Sequence, residues 1–129
     1  MDKKKILLID DEAMFCRLIK RHLEAIADFE VEVALDGREG LTLAKLKRPD
    51  LIVLDIIMPG LTGFQVLEKL KQDEKTMLIP VVMLSGKDDP IYKDRASRLY
   101  DEMYLTKPVD AYLLRDKINE VLRIREKNE

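Results

Sequence analysis

The sequence predicts an α/β protein, a doubly wound parallel sheet of five strands and five helices. Two patterns predict it. Short apolar runs alternate with longer segments of helical period along the whole chain, with no linker or repeat between them. The central runs, such as Leu51-Ile52-Val53-Leu54, are apolar at every position, as strands covered by helices on both faces must be. Parallel strands of this kind need right-handed helical crossovers, which the intervening segments supply.

Taken in order, Lys5-Ile6-Leu7-Leu8-Ile9 reads as the first strand, near residues 4–9. A helix follows from Glu12 to Ala27, with Phe15, Leu18, Ile19, Leu23 and Ile26 expected on its inner face. Phe29 to Leu35 alternates as the second strand. Asp36-Gly37 opens a helix that ends near Lys47, because Arg48 precedes Pro49 and the residue before proline avoids the helical region. The third strand starts at Asp50 and ends in Asp55. A loop punctuated by Pro59, Gly60 and Gly63 leads to a helix reaching Glu74, with Phe64, Leu67 and Leu70 inward. Pro80 begins a fourth strand that ends in Ser85. Asp89-Pro90 has the cap-then-proline pattern of a helix start, so a helix is expected to Leu99. Met103 to Thr106 forms the fifth strand, and Asp110 caps a last helix carrying Leu114, Ile118, Val121 and Leu122 into the core.

The 129 residues are expected to form one domain, residues 1–129 with a core of about 4–122. The hydrophobic share of 47% against 37% charged is that of a globular fold with a heavily charged exterior. A net charge of −2 argues against a nucleic-acid platform, which needs a basic excess to neutralise phosphates. Cys16 is the single cysteine, so there is no intrachain disulfide and no CxxC site, and it reads as a small buried hydrophobe. Apolar runs are strand-sized, too short for a signal peptide or a membrane span, and the expected location is the cytoplasm.

Four strand ends carry reactive groups: Asp10-Asp11, Asp55, Ser85 and Lys107-Pro108. If the strand order is 2-1-3-4-5, a crevice opens between the first and third strands and Asp10, Asp11 and Asp55 line it. Three carboxylates so close repel one another, and a divalent cation relieves that conflict. Magnesium suits an open cluster of oxygen ligands, whereas zinc would find almost none of its preferred donors. Lys107 supplies positive charge and Ser85 a hydroxyl, so the collected chemistry is phosphoryl transfer to or from a carboxylate. Each feature alone has an ordinary explanation as a cap, a turn or a strand exit. Their joint placement at corresponding strand ends argues for a site.

Asp10-Asp11, Asp55 with Met58-Pro59 and Gly63, Ser85-Gly86, and Tyr104-Leu105-Thr106-Lys107-Pro108 together resemble the receiver domain of bacterial two-component response regulators. The resemblance extends to about Leu122. It implies a flavodoxin-like fold with strand order 2-1-3-4-5, and phosphorylation of Asp55 by a phosphohistidine on a sensor histidine kinase or histidine phosphotransfer protein. It further implies Mg²⁺ held by Asp11, Asp55 and the backbone carbonyl of Ile57, with Asp10 acting through water. Ser85 and Lys107 would contact the phosphoryl oxygens, and a cis peptide bond is expected at Lys107-Pro108. Tyr104 stands at the family's switch-aromatic position and would follow the Ser85 loop, although a static tyrosine on an edge strand is the ordinary alternative. Output would pass through the surface of the 89–99 helix, the fifth strand and the last helix to a downstream protein target or effector domain. A phosphorylation-linked homodimer stays open, and so does whether the chain stands alone or belongs to a longer regulator. The chain would promote its own phosphorylation and dephosphorylation without turning over a separate substrate.

Departures from the family pattern carry expectations of their own. Ile57 is apolar where many receivers have a polar side chain near the hydrolytic water, and Lys87, long and cationic two residues after Ser85, could either shield the phosphoryl group or pair with a partner, so self-dephosphorylation is expected to be slow. Tyr100 stands where glycine is common. His22 reads as a surface or half-buried helical histidine rather than an internal phosphodonor. A haloacid-dehalogenase-type phosphatase would want Asp-x-Asp at the nucleophile, where this chain has Asp55-Ile56-Ile57, and no nucleotide-binding glycine loop follows the first strand. A receiver used only as an unphosphorylated binding module is the remaining alternative.

Overall fold

The computed structural model describes residues 2–86 and 103–127, apart from the side chains of Met103 and Tyr104. Five strands, β1 (Lys4–Ile9), β2 (Phe29–Ala34), β3 (Leu51–Asp55), β4 (Val81–Ser85) and β5 (Met103–Thr106), form one sheet in the order β2-β1-β3-β4-β5. Every neighbouring pair is parallel. Four helices are described: α1 (Ala13–Ile26), α2 (Gly37–Lys47), α3 (Gly63–Gln72) and α4 (Ala111–Lys127). The helix expected at 89–99 lies outside the described residues, as do Lys87 and Tyr100.

The sheet separates two cores because successive residues of a strand face opposite ways. Ile6, Leu8, Leu51, Val53, Val82 and Leu84 pack with Cys16, Ile19 and Leu23 of α1 and Leu114 and Ile118 of α4. Leu7, Ile9, Ile52, Leu54, Val81 and Met83 pack on the other face with Ala44 of α2 and Phe64, Val66, Leu67 and Leu70 of α3. All five residues of β3 are buried, so the strand that ends in Asp55 is held on both faces.

α1 departs from expectation at one position. Leu18 is 50% exposed, whereas Cys16, Ile19 and Leu23 are buried and Phe15 and Ile26 are half-buried. At about 100° per residue, Leu18 falls roughly 110° from the centre of the stripe formed by the other five, beyond the buried arc. Arg48 keeps to the expectation: it ends α2 in the left-handed region, φ 47° and ψ 65°, outside the right-handed helical region that Pro49 disfavours.

Candidate functional site

The parallel ladders run one residue past the strand ends and fix the start of each site loop. Asp10 N–H donates to Ala34 O at 3.1 Å, Ile56 N–H to Leu84 O at 3.0 Å and Lys107 N–H to Ser85 O at 2.8 Å. Asp10, Asp55, Ser85 and Lys107 therefore inherit their positions from the backbone of the sheet. Gly63 secures the loop after Asp55: its N–H donates to Ile56 O at 2.8 Å. A Cβ there would stand 2.3 Å from Asp55 O and 2.6 Å from Ile56 Cα, so the first turn of α3 lies on the backbone of the β3 exit.

Asp10, Asp11 and Asp55 come together, each offering a carboxylate oxygen within 4.8 Å of the others. Asp10 is fully buried and Asp55 nearly so, whereas Asp11 is exposed. Lys107 crosses from the end of β5. Its Nζ lies 2.9 Å from Asp10 Oδ2 and 3.5 Å from Asp55 Oδ1, and it rests 4.8 Å from the centroid of the Phe15 ring. The Lys107-Pro108 peptide bond is cis.

Two features of the site were not read as functional in the sequence. Glu12 accepts a hydrogen bond from Lys107 Nζ at 2.9 Å, although 95 positions separate the two residues. Cys16 Sγ donates to the backbone carbonyl of Asp10 at 3.3 Å beneath the acidic loop. Burial, then the Asp10 carboxylate, push the Cys16 thiol up to about 12, so it stays protonated and structural.

Charge at the site is unbalanced. Among the described residues, Asp10, Asp11, Glu12 and Asp55 face one ammonium, that of Lys107. Burial pushes Asp55 up to about 7, the Asp10 carboxylate adds to the rise, and Lys107 only partly offsets it. Burial likewise raises Asp10 against the hydrogen bond from Glu12 N–H, 3.0 Å long, and the pull of Lys107. Burial alone would lower Lys107, but its bonds to Asp10 and Glu12 prevail and raise it, so it remains cationic. Such a site favours added positive charge. Its donors are carboxylate oxygens, with neither imidazole nor thiolate in the cluster, and that set fits a hard divalent cation such as Mg²⁺.

Ser85 is fully buried, and its Oγ has no hydrogen-bond partner among the described residues. Ile57 is 51% exposed beside the acidic loop. The side chain of Tyr104, the expected switch aromatic, lies outside the described residues. An open groove between α2 and α3, lined by Arg38, Lys45, Lys69 and Lys75 among others, shares no residue with the site.

A family model described as the response regulator receiver domain matches residues 6–119. The chain belongs to that family. This receiver is 38% identical over 118 residues to protein PilH of Pseudomonas aeruginosa, covering 92% of this chain and 97% of that one. It is 36% identical over 120 residues to the alkaline phosphatase synthesis transcriptional regulatory protein PhoP of Bacillus subtilis, covering 93% of this chain but 49% of PhoP. The receiver thus spans about half the length of some curated relatives and nearly all of another. Among solved structures, it superposes on a CheY-like response regulator receiver domain protein from Methanospirillum hungatei with a TM-score of 0.87 and 29% identity, covering 98% of this chain and 99% of that one. The chain is accordingly a phospho-signalling domain of the two-component class, with the flavodoxin-like fold and an acidic pocket that can hold a metal ion. No helix among the described residues is long and apolar enough to cross a membrane.

Proposed function

We propose that this receiver is a phosphorylatable switch in which Asp55 accepts a phosphoryl group from a phosphohistidine on a sensor kinase or phosphotransfer protein. The observation that carries the reading is the convergence on Asp55: its carboxylate ends a fully buried strand, within 4.8 Å of the Asp10 and Asp11 oxygens and 3.5 Å from the Lys107 ammonium. A nucleophilic carboxylate must be ionised and must approach an anionic donor. Lys107 serves both needs, because it favours the ionised form of Asp55 and attracts phosphoryl oxygens. Asp11, Asp55 and the Ile57 carbonyl would hold Mg²⁺, with Asp10 linked through water, and the ion would supply the remaining charge neutralisation.

In the transfer, an oxygen of Asp55 forms a bond to phosphorus as the phosphorus–nitrogen bond of the donor breaks. The imidazole nitrogen keeps the electron pair and takes its proton from solvent. Lys107 steadies the equatorial oxygens throughout. The Ser85 hydroxyl, without a partner among the described residues, is the natural donor to the product, and its capture by a phosphoryl oxygen would draw the following loop inward. Coupling through Tyr104 to the surface of the 89–99 segment, β5 and α4 completes the switch, which would act on a protein target or an effector domain. The chain acts here as one domain, residues 1–129 with its core at 4–122, in the cytoplasm, and turns over no separate substrate.

Intact mass after incubation with acetyl phosphate tests the proposal. We expect one phosphoryl adduct on the wild type with Mg²⁺, none without it and none on Asp55→Asn. Absence of an adduct from both acetyl phosphate and a phosphohistidine donor would overturn it in favour of an unphosphorylated binding module.

A further inference from the structure

We infer that Glu12 competes with the phosphoryl group for Lys107 and so restrains phosphorylation, an inference that rests on the reading of Asp55 as the phosphoacceptor. An ammonium has three N–H donors. Among the described residues the Lys107 ammonium meets three carboxylates: it donates to Glu12 Oε1 at 2.9 Å, pairs in charge with Asp10 Oδ2 at 2.9 Å without a well-aligned hydrogen bond, and lies 3.5 Å from Asp55 Oδ1. The Phe15 ring occupies a further side. Oxygens carried on Asp55 therefore compete with both short contacts for the charge and the donors of one ammonium.

The two contacts are unequal in what their loss costs. The Asp10 side chain is fully buried, and releasing it would leave a buried charge short of its counterion. The Glu12 side chain is 62% exposed, so water can replace the ammonium with little loss. Glu12 is thus the partner that yields.

Its backbone is arranged to let only the carboxylate leave. Glu12 stands at the N-cap of α1, yet its side chain makes no capping hydrogen bond. The helix start is held instead by Glu12 N–H donating to Asp10 Oδ1 and by Cys16 N–H donating to Glu12 O, both at 3.0 Å. The carboxylate can swing to solvent without unwinding a turn. While it stays, it occupies a donor and offsets the charge of Lys107 toward an incoming phosphoryl group.

Glu12→Gln keeps the length and an acceptor oxygen but removes the charge, and the exposed position should leave the thermal midpoint unchanged. Calorimetric titration with beryllium fluoride in Mg²⁺ should show about three- to tenfold tighter binding, and the acetyl phosphate adduct should form faster by a similar factor. In a Lys107→Met background, the same substitution should change binding by less than about 1.5-fold, because the ligand competed for is gone. Equal affinity of wild type and Glu12→Gln would overturn the inference while leaving Asp55 as acceptor. A gain undiminished in the Lys107→Met background would also overturn it, since Glu12 would then act by direct repulsion. If neither wild type nor variant binds the mimic or gains an adduct, the phosphoacceptor reading fails and takes this inference with it.

Discussion

At the scale of single residues, Asp55 is held at an energetic disadvantage that its chemistry explains. Burial first, then the Asp10 carboxylate, lift it from an ordinary 3.8 to about 7. Below about pH 4 the folded and unfolded chains both carry the proton, and the group contributes nothing to stability. Between that point and about pH 7 the folded state binds more protons than the unfolded, so stability falls as pH rises, and above about pH 7 the loss is complete. Asp55→Asn removes the penalty. In cation-free buffer at pH 8 it should stabilise the fold by about 1–3 kcal/mol, an advantage that fades toward pH 4. Thermal melts of both proteins across that range check it, and a variant no more stable at pH 8 would refute the stated cause. Ile57 carries a second prediction. Half-exposed and apolar beside the acidic loop, it offers no hydrogen bond to an attacking water, so Ile57→Asn should shorten the lifetime of the phosphorylated protein by several-fold, about 1 kcal/mol of barrier. Decay of the adduct mass after donor removal measures it, and an unchanged lifetime would sink the idea. Asp10, Asp11, Asp55 and Lys107 were legible as a cluster because they stand at the ends of apolar runs. Glu12 was not, since a glutamate at the head of a helix has a commonplace local explanation and its partner is 95 positions away.

Among the elements, α3 shows how local chemistry aims the site. Thr62 caps it with a reciprocal pair: Gln65 N–H donates to Thr62 Oγ1 at 3.3 Å and Thr62 N–H to Gln65 Oε1 at 2.9 Å. The next residue, Gly63, brings the helix onto the β3 exit, where a side chain would strike backbone rather than a mobile tip. Two substitutions separate these roles. Thr62→Ala should cost about 1 kcal/mol of stability and leave phosphorylation nearly intact, because the helix frays without displacing Asp55. Gly63→Ala should cost about 2 kcal/mol or more and also slow adduct formation, because relief of the overlap must move the Asp55 or Ile56 backbone. Denaturant melts paired with adduct rates distinguish them; a Gly63→Ala protein phosphorylated at the wild-type rate would show that the close approach does not orient Asp55. The Asp36 cap of α2, the Asp110 cap of α4 and the buried β3 were legible because cap chemistry and unbroken apolar runs are local signals. The exposure of Leu18 was less legible, since a residue at the margin of a helical stripe is placed by the packing around it. So was the left-handed turn at Arg48, because Pro49 excludes one conformation without selecting among the rest.

For the whole molecule, the decisive property is that the site exists only when the sheet does. Asp10 and Asp11 follow β1, Asp55 ends β3 and Lys107 follows β5, with Ser85 of β4 bonded to the Lys107 backbone between them. No stretch of the unfolded chain reproduces that cluster, so a cation that binds it stabilises the folded state alone, by RT ln(1 + [L]/Kd). For a site of about millimolar affinity, 10 mM Mg²⁺ should therefore add roughly 1.4 kcal/mol. The sign follows from the imbalance, among the described residues, of four carboxylates against one ammonium, and the same imbalance predicts where the effect will fail. Asp11→Asn removes the exposed member of the cluster without disturbing either buried carboxylate, so it should keep the fold but lose most of the Mg²⁺-dependent rise in thermal midpoint. Raising ionic strength with sodium chloride to match should not reproduce the rise in the wild type, because screening weakens repulsion generally while the acidic cluster is local and largely buried. Melts of wild type and Asp11→Asn in Mg²⁺, in matched sodium chloride and in chelator decide the matter. An equal shift in both proteins, or one reproduced by sodium chloride, would mean that the three carboxylates are held together by the sheet without forming a cation site.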